Sequence, residues 1–286
     1  MPGQHPAPPG DCPNHGIFMG TQLENVIDSP PLRIVAIQQL VTVGFVLLFA
    51  AFPLFPVNFL FAAAGVITVL TITGWFAHWD VVVPLGLFCV ICMVLASFGL
   101  PSQIWFALGL GAYFTICKCV QWLHGTLVWL KAGTFTRDVA FLTIASALLA
   151  AISLIVWFLS IQPNINDLIE AFVPKWNIAL LVLGGLMFSI VNAAVEEGAY
   201  RGVIMAALDK SVGSGVAPIL LQAAAFGTLH INGFPRGWIG VGLASVFGLL
   251  MSLIRRRSQG MLAPWAAHVC TDIVIAGIVM FFARTA

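Results

Sequence analysis

Six consecutive residues, Glu196-Glu197-Gly198-Ala199-Tyr200-Arg201, put two carboxylates and a guanidinium into the otherwise apolar stretch LLVLGGLMFSIVNAAVEEGAYRGVIMAAL. On a helix, Glu197 and Arg201 are four apart, lie on one face and can pair. Glu196 points about 100° away, on the side of Tyr200. The spacing therefore suggests one carboxylate neutralised by Arg201 and one left for chemistry. The next apolar run ends in AAAFGTLH, with Phe226 and His230 one turn apart. The last opens with APWAAHVCTD, with His268 and Asp272 again four apart. Each charge at mid-bilayer costs about 2.5–3.5 kcal/mol on insertion scales. These residues must therefore face protein or water and pair with one another.

Several chemistries use such a set. Ser189, Ser245 and Ser252 are isolated in apolar sequence, so no serine or cysteine sits in a nucleophile context beside a base. A carboxylate and a histidine can instead activate water. Water held between Glu196 and His230 could attack a carbonyl, with His268 as donor to the oxyanion. Asp272 could orient His268 or hold its proton. The same atoms offer a metal alternative, zinc on Glu196, His230 and His268 with an open position. The zinc-protease pattern HExxH is absent, and spacing does not separate the two. Taken singly, a Glu–Arg pair can be a structural staple and a membrane histidine a helix-to-helix hydrogen bond. Phe226 by itself reads as packing. Consecutive segments each delivering polar groups point instead to a functional centre built from facing helices.

The elements that hold this centre must be membrane helices. Of 286 residues, 60% are hydrophobic and only 8% charged, where a soluble chain carries about a quarter charged. The net charge of +1 makes no electrostatic case for nucleic acid. Apolar runs near 34–52, 57–77, 81–99, 103–123, 138–161, 177–207, 215–231, 238–254 and 263–283 predict eight or nine spans. Residues 1–32 are polar and Pro-rich, lack the features of a secretory signal and read as a tail. Residues 33–176 read as scaffold helices of unassigned role, and 177–286 as the catalytic core, since there, with Lys118 and His124 near the end of the fourth run as the main exceptions before it, ionisable residues enter the apolar runs. The pairs Cys89/Cys92 and Cys117/Cys119 lie in apolar runs without a His or Asp at ligand spacing, and read as buried free thiols. If the last segments each cross, the loops 208–214 and 255–260 share one side, and Arg255-Arg256-Arg257 makes it cytoplasmic. The triplet is read as a topological signal with no further role.

Depth poses a difficulty. Counted from the basic loops at about 1.5 Å per residue, Glu196 lies roughly 18 Å deep, His230 deeper, and His268 only about 10 Å. Straight, fully spanning helices would not bring them together. The expectation is a break or bend at Gly198 and Gly202, or a segment that is tilted or re-entrant.

Glu196-Glu197-Gly198-Ala199-Tyr200-Arg201 resembles the EExxxR motif of the CPBP family of intramembrane endopeptidases, also called the Abi or CAAX-protease-like family. Phe226-Gly227-Thr228-Leu229-His230 is similar to its second motif, FxxxH, and His268-Val269-Cys270-Thr271-Asp272 to its third, HxxxN or HxxxD. The resemblance covers 177–283. It implies an all-helical membrane bundle of about eight spans that hydrolyses a peptide bond without a cofactor, zinc being the lesser alternative. Glu196 would be the base and His230 its partner. Glu197 and Arg201 would organise the site, and His268 and Asp272 would serve the oxyanion or the substrate backbone. The substrate would be a membrane-associated protein or peptide, a C-terminal tail or a lipidated segment being candidates. The location would be integral and multi-pass, in the plasma (inner) membrane if the source is bacterial. Where the CAAX branch typically has Asn, this chain has Asp272, and an ionised Asp is a poor oxyanion donor. A non-catalytic scaffold or a transporter using the buried cluster structurally is the competing class. It predicts Glu196 paired and closed off from any cavity, or a through-path with broken helices.

Overall fold

The computed structural model describes residues 32–163, 169 and 177–285, with Arg284 and Thr285 described by backbone alone. The Pro-rich segment 1–31 and Cys12 lie outside the described residues, as does the Arg284 side chain. Among the described residues ten helices follow in order: α1 (Leu32–Ala51), α2 (Val57–Phe76), α3 (Val82–Ser97), α4 (Ser102–Cys119), α5 (Arg137–Ile161), α6 (Ile178–Glu197), α7 (Met205–Val212), α8 (Val216–Leu229), α9 (Gly237–Ser258) and α10 (Leu262–Thr285). Short 3₁₀ segments follow α1 (Phe52–Leu54) and α4 (Gln121–Trp129). Two compact units divide at Ile37/Gln38. The first is described only over the opening turns of α1. The second, Gln38–Ala286, carries everything below.

Each of the nine apolar runs is a helix. Among the described residues, six stretches are long and apolar enough to cross a membrane, and α3 and α8 are shorter apolar helices. The protein is thus an all-helical, multi-pass integral membrane protein of about eight segments. Its outward faces fit that medium: Leu148, Ile152, Val156 and Leu159 along α5 are all more than half exposed, as lipid-facing side chains are. Thr136 caps α5 by accepting from the Val139 amide, and Asn177 caps α6 by accepting from Leu180. Inside, one apolar core draws on both halves of the sequence, from Phe45, Phe88 and Phe106 in front to Tyr200, Phe226 and Met251 behind.

Small residues set the helix spacing. Gly248 of α9 lies against Ala223 of α8, where an added Cβ would come within 3.1 Å of the Ala223 Cα. Without a hydrophobic drive between helices in lipid, such close approach is what packs them. Three thiols meet their expectation: Cys89, Cys92 and Cys117 are buried and free. Cys119 does not, because it falls on the outer side of the last turn of α4 and is exposed.

The sixth segment does not break at its glycines. It runs unbroken for 35 residues from Ile178 to Val212, about 52 Å of helix, which is longer than the roughly 30 Å hydrocarbon core. Between α6 and α7, Gly198–Ile204 form a π-helical turn that is buried throughout. Such turns insert extra residues into a helix and occur often at functional sites. Its two glycines admit neighbours: Leu110 presses on Gly198, and the Trp129 ring lies where a Cβ on Gly202 would come within 2.5 Å. The seventh segment, α8, has only 14 residues, about 21 Å. It stops inside the bundle with His230 as its last turn's cap. The depth count failed because neither segment is an ordinary spanning helix.

One end of the bundle is tied by backbone and charge. Thr134 N–H donates to the Ser258 carbonyl, and the amides of Met261 and Leu262 donate to Lys131 and Ala132. The arginine triplet is more than a topological signal. Arg256 pairs with Asp209 and donates to the Ser214 carbonyl, so it locks the α7–α8 connection to the end of α9.

The helix spacing is open to a direct check. A Cβ on Gly227 would meet the Val241 carbonyl oxygen at 2.7 Å and the Ser245 side chain, and backbone cannot yield cheaply. Gly227→Val is expected to lower stability by about 1–3 kcal/mol. Gly44→Ala, where nothing lies within 4 Å, should be neutral or stabilising by up to about 1 kcal/mol. Thermal unfolding in detergent reads both.

Candidate active site

Glu197 is the junction of the buried cluster. Its Oε1 accepts from Arg201 Nη1 at 3.0 Å and from His268 Nδ1–H at 2.8 Å. Both partners are buried, Arg201 completely. The pairing of Glu197 with Arg201 is the one expected from their spacing. The bond to His268 is not: Glu197, rather than Asp272, orients that ring, because Asp272 Oδ1 stands 3.6 Å from Nε2, beyond a hydrogen bond. With Nδ1 engaged, His268 turns Nε2 toward Glu196 Oε2, also at 3.6 Å.

Arg201 is held from three elements. Its Nη2 donates to the Gly248 carbonyl at 3.3 Å, and its guanidinium stacks 4.5 Å over the Phe226 ring. Gly248 O also accepts from Gln222 at 3.0 Å and from Ser252 at 2.9 Å, and Gln222 bonds Ser252 in turn. Phe226 is therefore not simple packing. It is a face for Arg201 and neighbours both histidines, with ring centroids 6.0 Å from His268 and 4.9 Å from His230.

His230 stands at the end of α8. Its Nδ1–H donates to the Phe226 carbonyl at 3.1 Å. A carbonyl only accepts, so a proton sits on Nδ1, and in the neutral ring Nε2 carries the free lone pair.

Two residues escaped sequence reasoning. Asn192 donates from Nδ2 to Asp272 Oδ2 at 3.0 Å and accepts from Gln103 Nε2 at 3.0 Å. A signal for Asn192 existed: it lies four residues before Glu196, on the same face. Gln103 had none, since it opens α4 in the front half, 89 residues away.

Glu196, His230, His268, Asp272, Asn192 and Gln103 all line one cavity of about 900 Å³. Glu197 and Arg201 do not, so the structure divides the set into a wall and a support behind it. Beyond the polar end the cavity is apolar. It is walled by Leu149 and Leu154 of α5, Leu181 and Phe188 of α6, and Ile275 and Val279 of α10. A site closed off from any cavity, as a scaffold would have it, is not what surrounds Glu196. Among the described residues no group of three or more His, Cys, Asp or Glu is arranged to hold a metal ion.

Acid, base and donor groups around a cavity of about 900 Å³ within an apolar bundle are what hydrolysis inside a membrane would require. Comparison with protein families adds one finding. Residues 178–274, about a third of the chain, match the family described as type II CAAX prenyl endopeptidase, Rce1-like, and over that region the chain is similar to the CPBP-type proteases. No curated protein and no solved structure gives a match. The matched region spans α6 to the middle of α10, and so holds every polar site residue named above except Gln103.

Removing Arg201 would leave the buried Glu197 without its guanidinium, with His268 as its remaining hydrogen-bond donor. Arg201→Met is expected to lower stability by about 3–5 kcal/mol, and Arg201→Met with Glu197→Leu to recover most of it. Urea or thermal unfolding of the purified variants checks the cycle.

Proposed function

We propose that the protein hydrolyses a peptide bond of a membrane-associated protein or peptide with a water activated by Glu196 and His230. The observation that carries this reading is the division of labour between the adjacent glutamates. Glu197 takes both Arg201 and His268, while Glu196 stays on the cavity wall without a hydrogen-bonded cation.

In the proposed reaction His230 Nε2 accepts a hydrogen bond from the water and Glu196 takes its proton. The hydroxide attacks the scissile carbonyl. A proton on His268 Nε2 faces the oxyanion of the tetrahedral intermediate. Glu196 then returns its proton to the leaving amine as the C–N bond breaks. Asp272 is tied down by Asn192, so its remaining oxygen is directed toward His268 and the substrate. In that state it acts as an acceptor, for the His268 proton or a substrate N–H, and not as an oxyanion donor. On this reading an Asp can stand where the CAAX branch has Asn. No metal enters the scheme. The apolar length of the cavity suits a C-terminal tail or a lipidated segment presented from the bilayer, which in a bacterial cell would be the inner membrane.

Cleavage of membrane-anchored reporter peptides by the purified protein tests the reading. Glu196→Gln and His230→Ala should each lose about 10²–10⁴ in kcat, the usual worth of a positioned acid or base, with folding unchanged. Activity should survive stringent chelation. Full cleavage by either variant would sink the mechanism, and loss on chelation that zinc restores would establish the metal alternative. Asn192→Leu frees Asp272 to turn, and should lower kcat by about tenfold or more with little change in KM.

A further inference from the structure

A second cavity, of about 380 Å³, lies at the basic end of the bundle, away from the catalytic wall. Five charged side chains line it: Asp80, Lys131, Asp209, Lys210 and Arg255. Both acids are already matched, Asp80 by Lys210 and Asp209 by Arg256. Two cations are left over. Lys131 and Arg255 have no hydrogen-bonding or ion-paired side-chain partner among the described residues. Asp209 attracts Arg255 but bonds only Arg256. The Arg255 Nε–H is fully buried and unpartnered. A buried donor without an acceptor is costly and calls for a ligand that supplies one.

The surroundings say what kind of ligand. Val81, Leu85, Val203 and Ala206 make the walls apolar. Trp129, whose Nε1–H is held by the Tyr113 hydroxyl at 3.2 Å, lines one side. The cavity sits where α3 begins and α7 and α9 end, among the basic residues that mark the membrane surface. Basic pockets between helices at that level bind the phosphates of anionic lipids. A guanidinium with an open edge suits a phosphate diester.

We propose that this cavity binds the phosphate of an anionic phospholipid, with Arg255 and Lys131 as its ligands and the apolar wall against the glycerol and first acyl carbons. The site adjoins the catalytic turn. Trp129 lies against Gly202, and Val203 follows it in the same π turn that presents Arg201 to Glu197. Occupancy therefore bears on the packing behind the active site.

Native mass spectrometry of the full chain, after exchange into detergent with phosphatidylglycerol or phosphatidylcholine, tests this. The wild type should retain one phosphatidylglycerol and no phosphatidylcholine. Arg255→Gln should weaken retention about fivefold to tenfold and Lys131→Gln by a few-fold, while Arg257→Gln, an exposed arginine of the same triplet, should leave it unchanged. Arg255→Lys keeps the charge and should restore part of the affinity. Equal retention of the two lipids by the wild type overturns the proposal whatever the variants do. So does an equal loss in Arg257→Gln, which would mean diffuse surface charge. Displacement of the lipid by millimolar inorganic phosphate would overturn the lipid assignment and make the ligand free phosphate. None of these outcomes depends on peptide cleavage.

Discussion

One carboxylate oxygen, Glu197 Oε1, receives a proton donor from Arg201 and another from His268. In a bilayer interior none of the three groups could be left alone, because an unpaired buried charge costs several kcal/mol. Their mutual satisfaction fixes much else. Arg201 needs further acceptors, so α9 comes close enough at Gly248 to offer a carbonyl. That approach is possible because Gly248 lies against Ala223 of α8. Gln222 and Ser252 complete the same carbonyl's coordination and knit α8 to α9. The π turn allows Glu197 and Arg201 to keep their pairing while the helix widens around Leu110 and Trp129.

The same constraint sorts the carboxylates by role. Glu197 is engaged on the protein side. Glu196, one residue earlier and about 100° around the helix, is turned to the cavity. Asp272 is held by Asn192, which is itself held by Gln103. Each amide in that relay has its orientation set by the next, and its origin lies in α4. The front helices therefore do more than shield the core from lipid: they supply part of the cavity wall and the outer end of the polar chain. The long apolar extension of the cavity between α5, α6 and α10 is likewise shared between the two halves of the sequence.

How legible this was depends on the range of the interaction. Helix existence was readable throughout, because in lipid every backbone group must be satisfied locally and apolar length alone signals a span. The Glu197–Arg201 pair was readable because it is four residues apart on one helix. The apparent clash of depths was an artefact of assuming ideal helices for the sixth and seventh segments. A π turn and a 14-residue helix carry no distinct apolar signature.

What the amino-acid sequence by itself determined was the medium, the helices and the cast of polar residues, since composition and i, i+4 spacing are local properties. Only the tertiary structure decided which group each residue serves. It gave His268 to Glu197 instead of to Asp272, tied Asp272 to Asn192, drew Gln103 in from 89 residues away, and turned Arg256 from a topological signal into a clasp for Asp209. The reason is physical. Hydrogen bonds act over about 3 Å, and helix packing rather than chain order sets which donors and acceptors come within that range.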